Sequence, residues 1–298
     1  MSVNAASVSR HAPFLSVKRW LFPLLARPRI AHTIKYVVYV SLIANFGAYV
    51  VDDYLAFRSA LPPDAPLSEV VIMFATSIDA FAWIALVFLF ELETYALPDE
   101  AFTNWLSRLI LSIRIVCYVL IAYAAYGYTA EAIENYDFAQ VPGVDSLCVL
   151  ADRGVALQVD VIKYVDVTAA NCASLSDDDV FYQIAGEVSV IGAATLAHVQ
   201  HMGWVDICNA FVWLLVVFLI EIEIRMQSAD RFGGTLLNAT RQAKTLLYLV
   251  LIGNGIIWFF NSYYLYTWDA FLWIFGFWAI ELNLAEWEID RVQAMGAT

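Results

Sequence analysis

Ala80–Glu93 reads AFAWIALVFLFELE, an apolar run that ends in two carboxylates. The sentence recurs as AFVWLLVVFLIEIE over Ala210–Glu223 and as AFLWIFGFWAIELN over Ala270–Asn283. Aligned on Trp83, Trp213 and Trp273, the preceding Phe81, Phe211 and Phe271 fall in register, as do the following Phe88, Phe218 and Trp278. Glu91, Glu221 and Glu281 close each copy, and Glu93 and Glu223 add a second carboxylate in two of them. With 10 Trp in the chain, a chance register of three is a poor account of the pattern.

Each copy follows a second repeating helix. Tyr39, Tyr118 and Tyr248 align, with Lys35, Arg114 and Lys244 four residues earlier. Asn45, Ala124 and Asn254 lie six residues after the tyrosines, and Asp52, Glu131 and Asn261 lie seventeen after the basic residues. Seventeen helical residues rise about 26 Å, close to the hydrocarbon thickness of a bilayer. The chain therefore reads as three hairpins that cross in the same sense.

Composition agrees. The 298 residues are 61% hydrophobic and 15% charged, whereas soluble domains carry about 25% charged residues. So few charges cannot cover so much apolar surface. The fold expected is an all-α integral membrane protein of six spans, about 36–51, 70–92, 110–130, 204–224, 245–261 and 264–282. Pro62, Pro63 and Pro66 mark the first connection as a loop.

Lys and Arg orient it. With the N-terminus inside, 13 of the 16 are cytoplasmic and only Arg58, Arg153 and Lys163 are not, which predicts a cell-membrane protein with both termini cytoplasmic. No cleavable signal is recognisable. The expected divisions are a basic arm at 1–34, a first hairpin at 35–95, the second hairpin's helices at 96–130 and 204–226, and a third hairpin with the C-terminus at 227–298. The arm either lies on anionic lipid or is a tail that obeys the orientation rule.

The insertion at 131–203 carries eleven acids and two bases, most of the chain's net charge of −13. Such a face suits cations or a protein partner and excludes nucleic acid. In an oxidising space Cys148 and Cys172 should pair. VALQVDVIKYVDV, between them, alternates like a β-hairpin. Asp177–Asp179 suggest a helix start.

Two sets of polar residues carry the functional expectation. Lys35, Arg114 and Lys244 share a depth with Glu91, Glu221 and Glu281 and should close ion pairs at the inner boundary. Glu93 and Glu223 fall round the helix and should face water. Twelve residues before each closing Glu stand Asp79, Asn209 and Asp269, about 18 Å along the helix. Asn45 and Asn254 reach a similar depth. Carboxylates there are costly unless paired, protonated or hydrated, so this layer is either a cation or proton site or interhelical glue. A turn at Thr267–Trp268 would instead make Asp269 a helix cap. His198 and His201, spaced i, i+3, make a weak metal signal, and no metal is expected. No nucleophile–base set, cofactor motif or mid-span Lys is visible. The function classes left are a channel or transporter for cations or protons and a scaffold presenting the acidic insertion to a partner; an enzyme is not expected.

Overall fold

The computed structural model describes residues 28–92, 104–178, 180–184, 187–228 and 235–277. Two compact units divide the chain, Met1–Ala44 and Asn45–Thr298. The first contributes the opening of helix α1 (Pro28–Ala60), where Tyr36, Val37, Val40 and Ile43 point outward and Leu42 is buried. Everything below belongs to the second unit.

After α1 come α2 (Leu67–Met73), α3 (Ala75–Glu91) and α4 (Asn104–Glu134). A small sheet region follows, then α6 (Ala193–Ser228), α7 (Thr235–Phe260) and α8, 264–277. Three described helices are long and apolar enough to cross a membrane: Trp105–Glu134, Ala193–Glu223 and Asn238–Phe260. They turn Ile115, Val116, Val119, Leu215, Phe218, Leu246 and Leu249 outward. Apolar side chains kept out of the core in such number belong against lipid rather than water.

The span expected at 70–92 is not one continuous helix. It breaks at Phe74 and bends by 64° between α2 and α3. Phe74 itself caps nothing with its side chain. The amides freed at the start of α3 are served from α1: Asp53 Oδ2 accepts from Ser77 N at 3.0 Å and from Ser77 Oγ at 2.6 Å, all buried. A cap supplied by a distant residue does the work that Ser, Thr, Asp or Asn usually does locally. The next packing surface fits the bend. A Cβ on Gly127 of α4 would stand 2.9 Å from Ala75 Cβ, so glycine there lets the two helices close up. Counted as one span, the bent pair makes a fourth candidate.

The final turn falls at Asn261–Ser262, where Ser262 has φ 66°. Asp269 then lies inside α8, past its first turn, and is not a cap.

The insertion is more than a hairpin. Strands β1 (Ala139–Gln140), β2 (Ala156–Asp160), β3 (Lys163–Asp166), β4 (Phe181–Gln183) and β5 (Ser189–Gly192) form one sheet in the order β1-β4-β5-β2-β3. The expected β2–β3 hairpin is present, with Leu157 opposite Val165. β2 also pairs with β5 in parallel, a long-range contact that local alternation does not announce. The all-α expectation is corrected to that extent. So is the helix expected after Asp177–Asp179, where β4 follows instead: Phe181 is one of the most buried side chains and pairs with Gly192 of β5. Cys148 and Cys172 form the disulfide, with α5 (Cys172–Leu175) beside it. They staple a small core of Val144, Leu147, Leu157, Val167, Phe181 and Val190. Val188 N donates to Ala60 O at 2.9 Å, tying the sheet to the end of α1.

Candidate functional site

The repeated sentences converge. The rings of Trp83 and Trp213 are 6.3 Å apart and those of Trp83 and Trp273 6.1 Å apart. Phe277 packs among all three, at 6.0, 5.2 and 6.2 Å. Val212, Val216 and Leu251 continue this apolar plug.

On the sheet side of the plug is a cavity of about 110 Å³. Asp79, Glu131, Asp206 and Asp269 line it, together with Asn209 and a wall rich in Trp and Tyr, and no Lys, Arg or His is among its lining residues. The helices place these groups by simple spacing. In α3 and α8 an Asp precedes a Trp by four residues, which puts both on one face. Trp83 Nε1 donates to Asp79 Oδ1 at 3.0 Å, and Trp273 likewise bonds Asp269. In α6 Asn209 stands four before Trp213. Its Oδ1 is shut off from solvent and has no hydrogen-bond partner among the described residues.

Asn45 Nδ2 donates to Asp269 Oδ1 at 2.7 Å, and Tyr49 also bonds that carboxyl. Asn45 of α1 thus reaches Asp269 of α8. Asn254 is buried outside the cavity lining, with Nδ2 unpartnered among the described residues.

Asp206 is the main residue that sequence reading passed over. Its signal was there: it precedes Asn209 by three residues, so the two share a helix face. Trp258 Nε1 of α7 donates to Asp206 Oδ1 at 3.2 Å.

The carboxylates form a series. Asp79 lies in electrostatic reach of Asp269, Asp206 of Glu131, and Glu131 of Asp53, Glu134 and Glu187. Glu187, in the sheet region, is pushed up to about 7 by burial, aided by the Glu134 and Glu69 carboxylates and partly offset by Ser189. Ser189 Oγ donates to it at 2.8 Å. The folded protein therefore holds this proton more tightly than the unfolded chain, whose Glu titrates near its ordinary 4.5. Stability should be full below about pH 4.5 and fall as pH rises to about 7, by at most about 3 kcal/mol. Glu187→Gln should flatten that slope. Thermal unfolding of the solubilised protein at pH 5 and pH 8 checks it, and equal slopes for both proteins would acquit Glu187.

The turn between β2 and β3 covers the cavity from the sheet side. Val161 and Ile162 line it, and Val161 packs against the buried cluster of Met202, Val205, Trp258, Tyr263 and Ala270. Asp160 latches this turn. It accepts from the Tyr263 hydroxyl and, at 3.0 Å, from Lys163 Nζ. Burial raises Asp160, but Tyr263, Lys163 and the Val161 amide outweigh it and hold the carboxyl below its usual range. His198 Nε2 lies 2.9 Å from the same hydroxyl. His201 is exposed. Among the described residues no three His, Cys, Asp or Glu come close enough to hold a metal ion.

At the far helix ends Lys244 pairs with Glu223 of α6, and Arg241 Nε lies 3.8 Å from the same carboxylate. Glu223 does not face water as expected, because α6 and α7 are antiparallel neighbours and the two residues stand at one level. Arg114 and Glu221 both act electrostatically on the Tyr118 hydroxyl. Glu91 closes α3. Glu93, Glu281 and the Lys35 side chain, with the pairs expected for them, lie outside the described residues.

No family model matches this sequence, and neither a curated protein nor a solved structure is similar to it.

Proposed function

We propose that this is a multi-pass membrane protein that carries cations or protons through the carboxylate cavity. One observation supports the reading above the rest: four carboxylates and no base share its wall. Asp79 with Asp269 and Asp206 with Glu131 make two interacting like-charge pairs when all four are ionised. At about 8 Å and an effective dielectric of about 20, each pair costs about 2 kcal/mol. That cost, before any desolvation, is a sizeable part of the stability of a domain, about 5–15 kcal/mol. Protons or cations held in the cavity relieve it, and carboxylates at such depth mark ion pathways.

The architecture we infer is six spans in three parallel hairpins, in the cell membrane, with both termini cytoplasmic. The meeting of Trp83, Trp213 and Trp273 supports the threefold arrangement, and the placement of Lys and Arg supports the orientation. The acidic sheet region then lies outside and gathers cations. Glu187, Glu134 and Glu131 lead from it toward Asp206, and the Trp–Phe277 plug closes the inner end.

The test is flux in proteoliposomes under H⁺, K⁺ and Na⁺ gradients. Flux that collapses when Asp79 and Asp269 become Asn supports the proposal. Correctly folded wild-type protein that carries none of the three would sink it and turn attention to a partner of the acidic sheet.

A further inference from the structure

We propose that the cavity takes a small protonated alkylamine, an organic cation with at least one N–H to donate. This rests on the cation reading above and names the class of cation. The first support is how the carboxylates are spent. Asp79, Asp206 and Asp269 each already accept from an indole N–H, and no three of the wall's acids converge on one point. A hard metal ion wants about six to eight oxygens converging at ~2.3–2.6 Å. Separate acceptors spaced round a wall suit instead the separate N–H bonds of an ammonium group.

The second support is the wall between them. Trp83, Trp213, Trp258 and Trp273, with three tyrosines and Phe277, line the same space. Aromatic faces attract poorly hydrated cations and offer apolar contact to an alkyl tail. A bare metal ion gains little from that tail-sized surface.

Size gives the third. An apolar cavity of about 150 Å³ takes benzene, six non-hydrogen atoms. By proportion, about 110 Å³ here takes roughly four, the size of propylammonium. The last support selects among organic cations. Asn209 Oδ1 is a buried acceptor with no partner among the described residues, and a buried acceptor left so is costly unless a donor arrives. A primary ammonium supplies that donor, whereas tetramethylammonium has none.

The experiment is equilibrium binding of radiolabelled propylammonium to the full chain in nanodiscs, with K⁺, Na⁺ and tetramethylammonium as competitors. Saturable binding at least tenfold tighter than any competitor is expected. Asn209→Leu should weaken it about tenfold, and Asn209→Asp, which keeps an acceptor and adds a carboxylate, should bind at least as tightly as wild type. The Leu and Asp variants together separate a lost acceptor from a damaged fold. Absence of saturable binding, binding no tighter than K⁺, or an unaffected Asn209→Leu protein would each overturn the inference. If K⁺ or H⁺ flux depends on Asp79 and Asp269 while propylammonium neither binds nor competes, the amine is excluded and the cation function stands. If nothing binds and nothing flows, both fall.

Discussion

Replacing Asp79 and Asp269 together by Asn should lower cation or proton flux by at least tenfold and leave the fold in place. Asn is nearly the same shape as Asp, and its Oδ1 still accepts from Trp83 or Trp273. The chain already carries the experiment: Asn209 stands four residues before Trp213, where Trp83 and Trp273 are preceded by Asp. What changes is charge. At about 6 Å and an effective dielectric of about 20, each lost carboxylate removes about 3 kcal/mol of attraction for a monovalent cation. Tenfold corresponds to about 1.4 kcal/mol, so tenfold is a floor even after the remaining Asp206 and Glu131 compensate. Reconstituted flux of the double variant beside wild type is the measurement, with matched unfolding midpoints as the control. Undiminished flux from a folded variant would remove this layer from transport and leave it as interhelical hydrogen bonding.

What the sequence made legible was what repeats or what is local. The apolar runs announce helices able to span a bilayer. The register of Asp79, Asn209 and Asp269 before their tryptophans brings all three to the cavity wall. Alternation in 155–167 announces the β2–β3 hairpin, and an isolated pair of cysteines in one insertion announces its staple. The rest depends on residues far apart in the chain. Nothing around Phe74 reads as a helix break, because no Pro or Gly stands there. The break is held by Asp53 reaching Ser77 from another helix. Asp206 lies off the register shared by Asp79, Asn209 and Asp269, and only its spacing from Asn209 hints at a shared face. The parallel pairing of β2 with β5 joins residues 33 apart in the chain, as Ala156 with Ser189. Lys244 also meets Glu223 of α6, because the partners available to a charge depend on which helices pack, and helical periodicity does not state that.

Removing the disulfide, as Cys148→Ser with Cys172→Ser, should loosen the sheet region selectively, by about 3 kcal/mol. The cysteines are 24 residues apart, and closing a loop of that length is worth about 3.5 kcal/mol in the chain-entropy account. Part of this is already supplied by α4 and α6, which hold both ends of the insertion, so the loss should fall somewhat short. The region needs the staple more than a larger domain would. Its apolar core is one small cluster around Leu147, Phe181 and Val190, and domains of about 60 residues or fewer bury too little surface to be secure. The helices have their own contacts and should be indifferent. Native-state hydrogen exchange in detergent distinguishes these parts. Amides of β2, β3 and β5 should exchange about a hundredfold faster in the variant, while those of α4, α6 and α7 keep their rates. Because Val161 and Ile162 cover the cavity from this same sheet, the loosened variant should also expose the cavity more often, and its basal flux should rise rather than fall. Unchanged exchange in the strands would assign the region's stability to its apolar cluster and to the Asp160–Tyr263 latch, with the disulfide only in attendance.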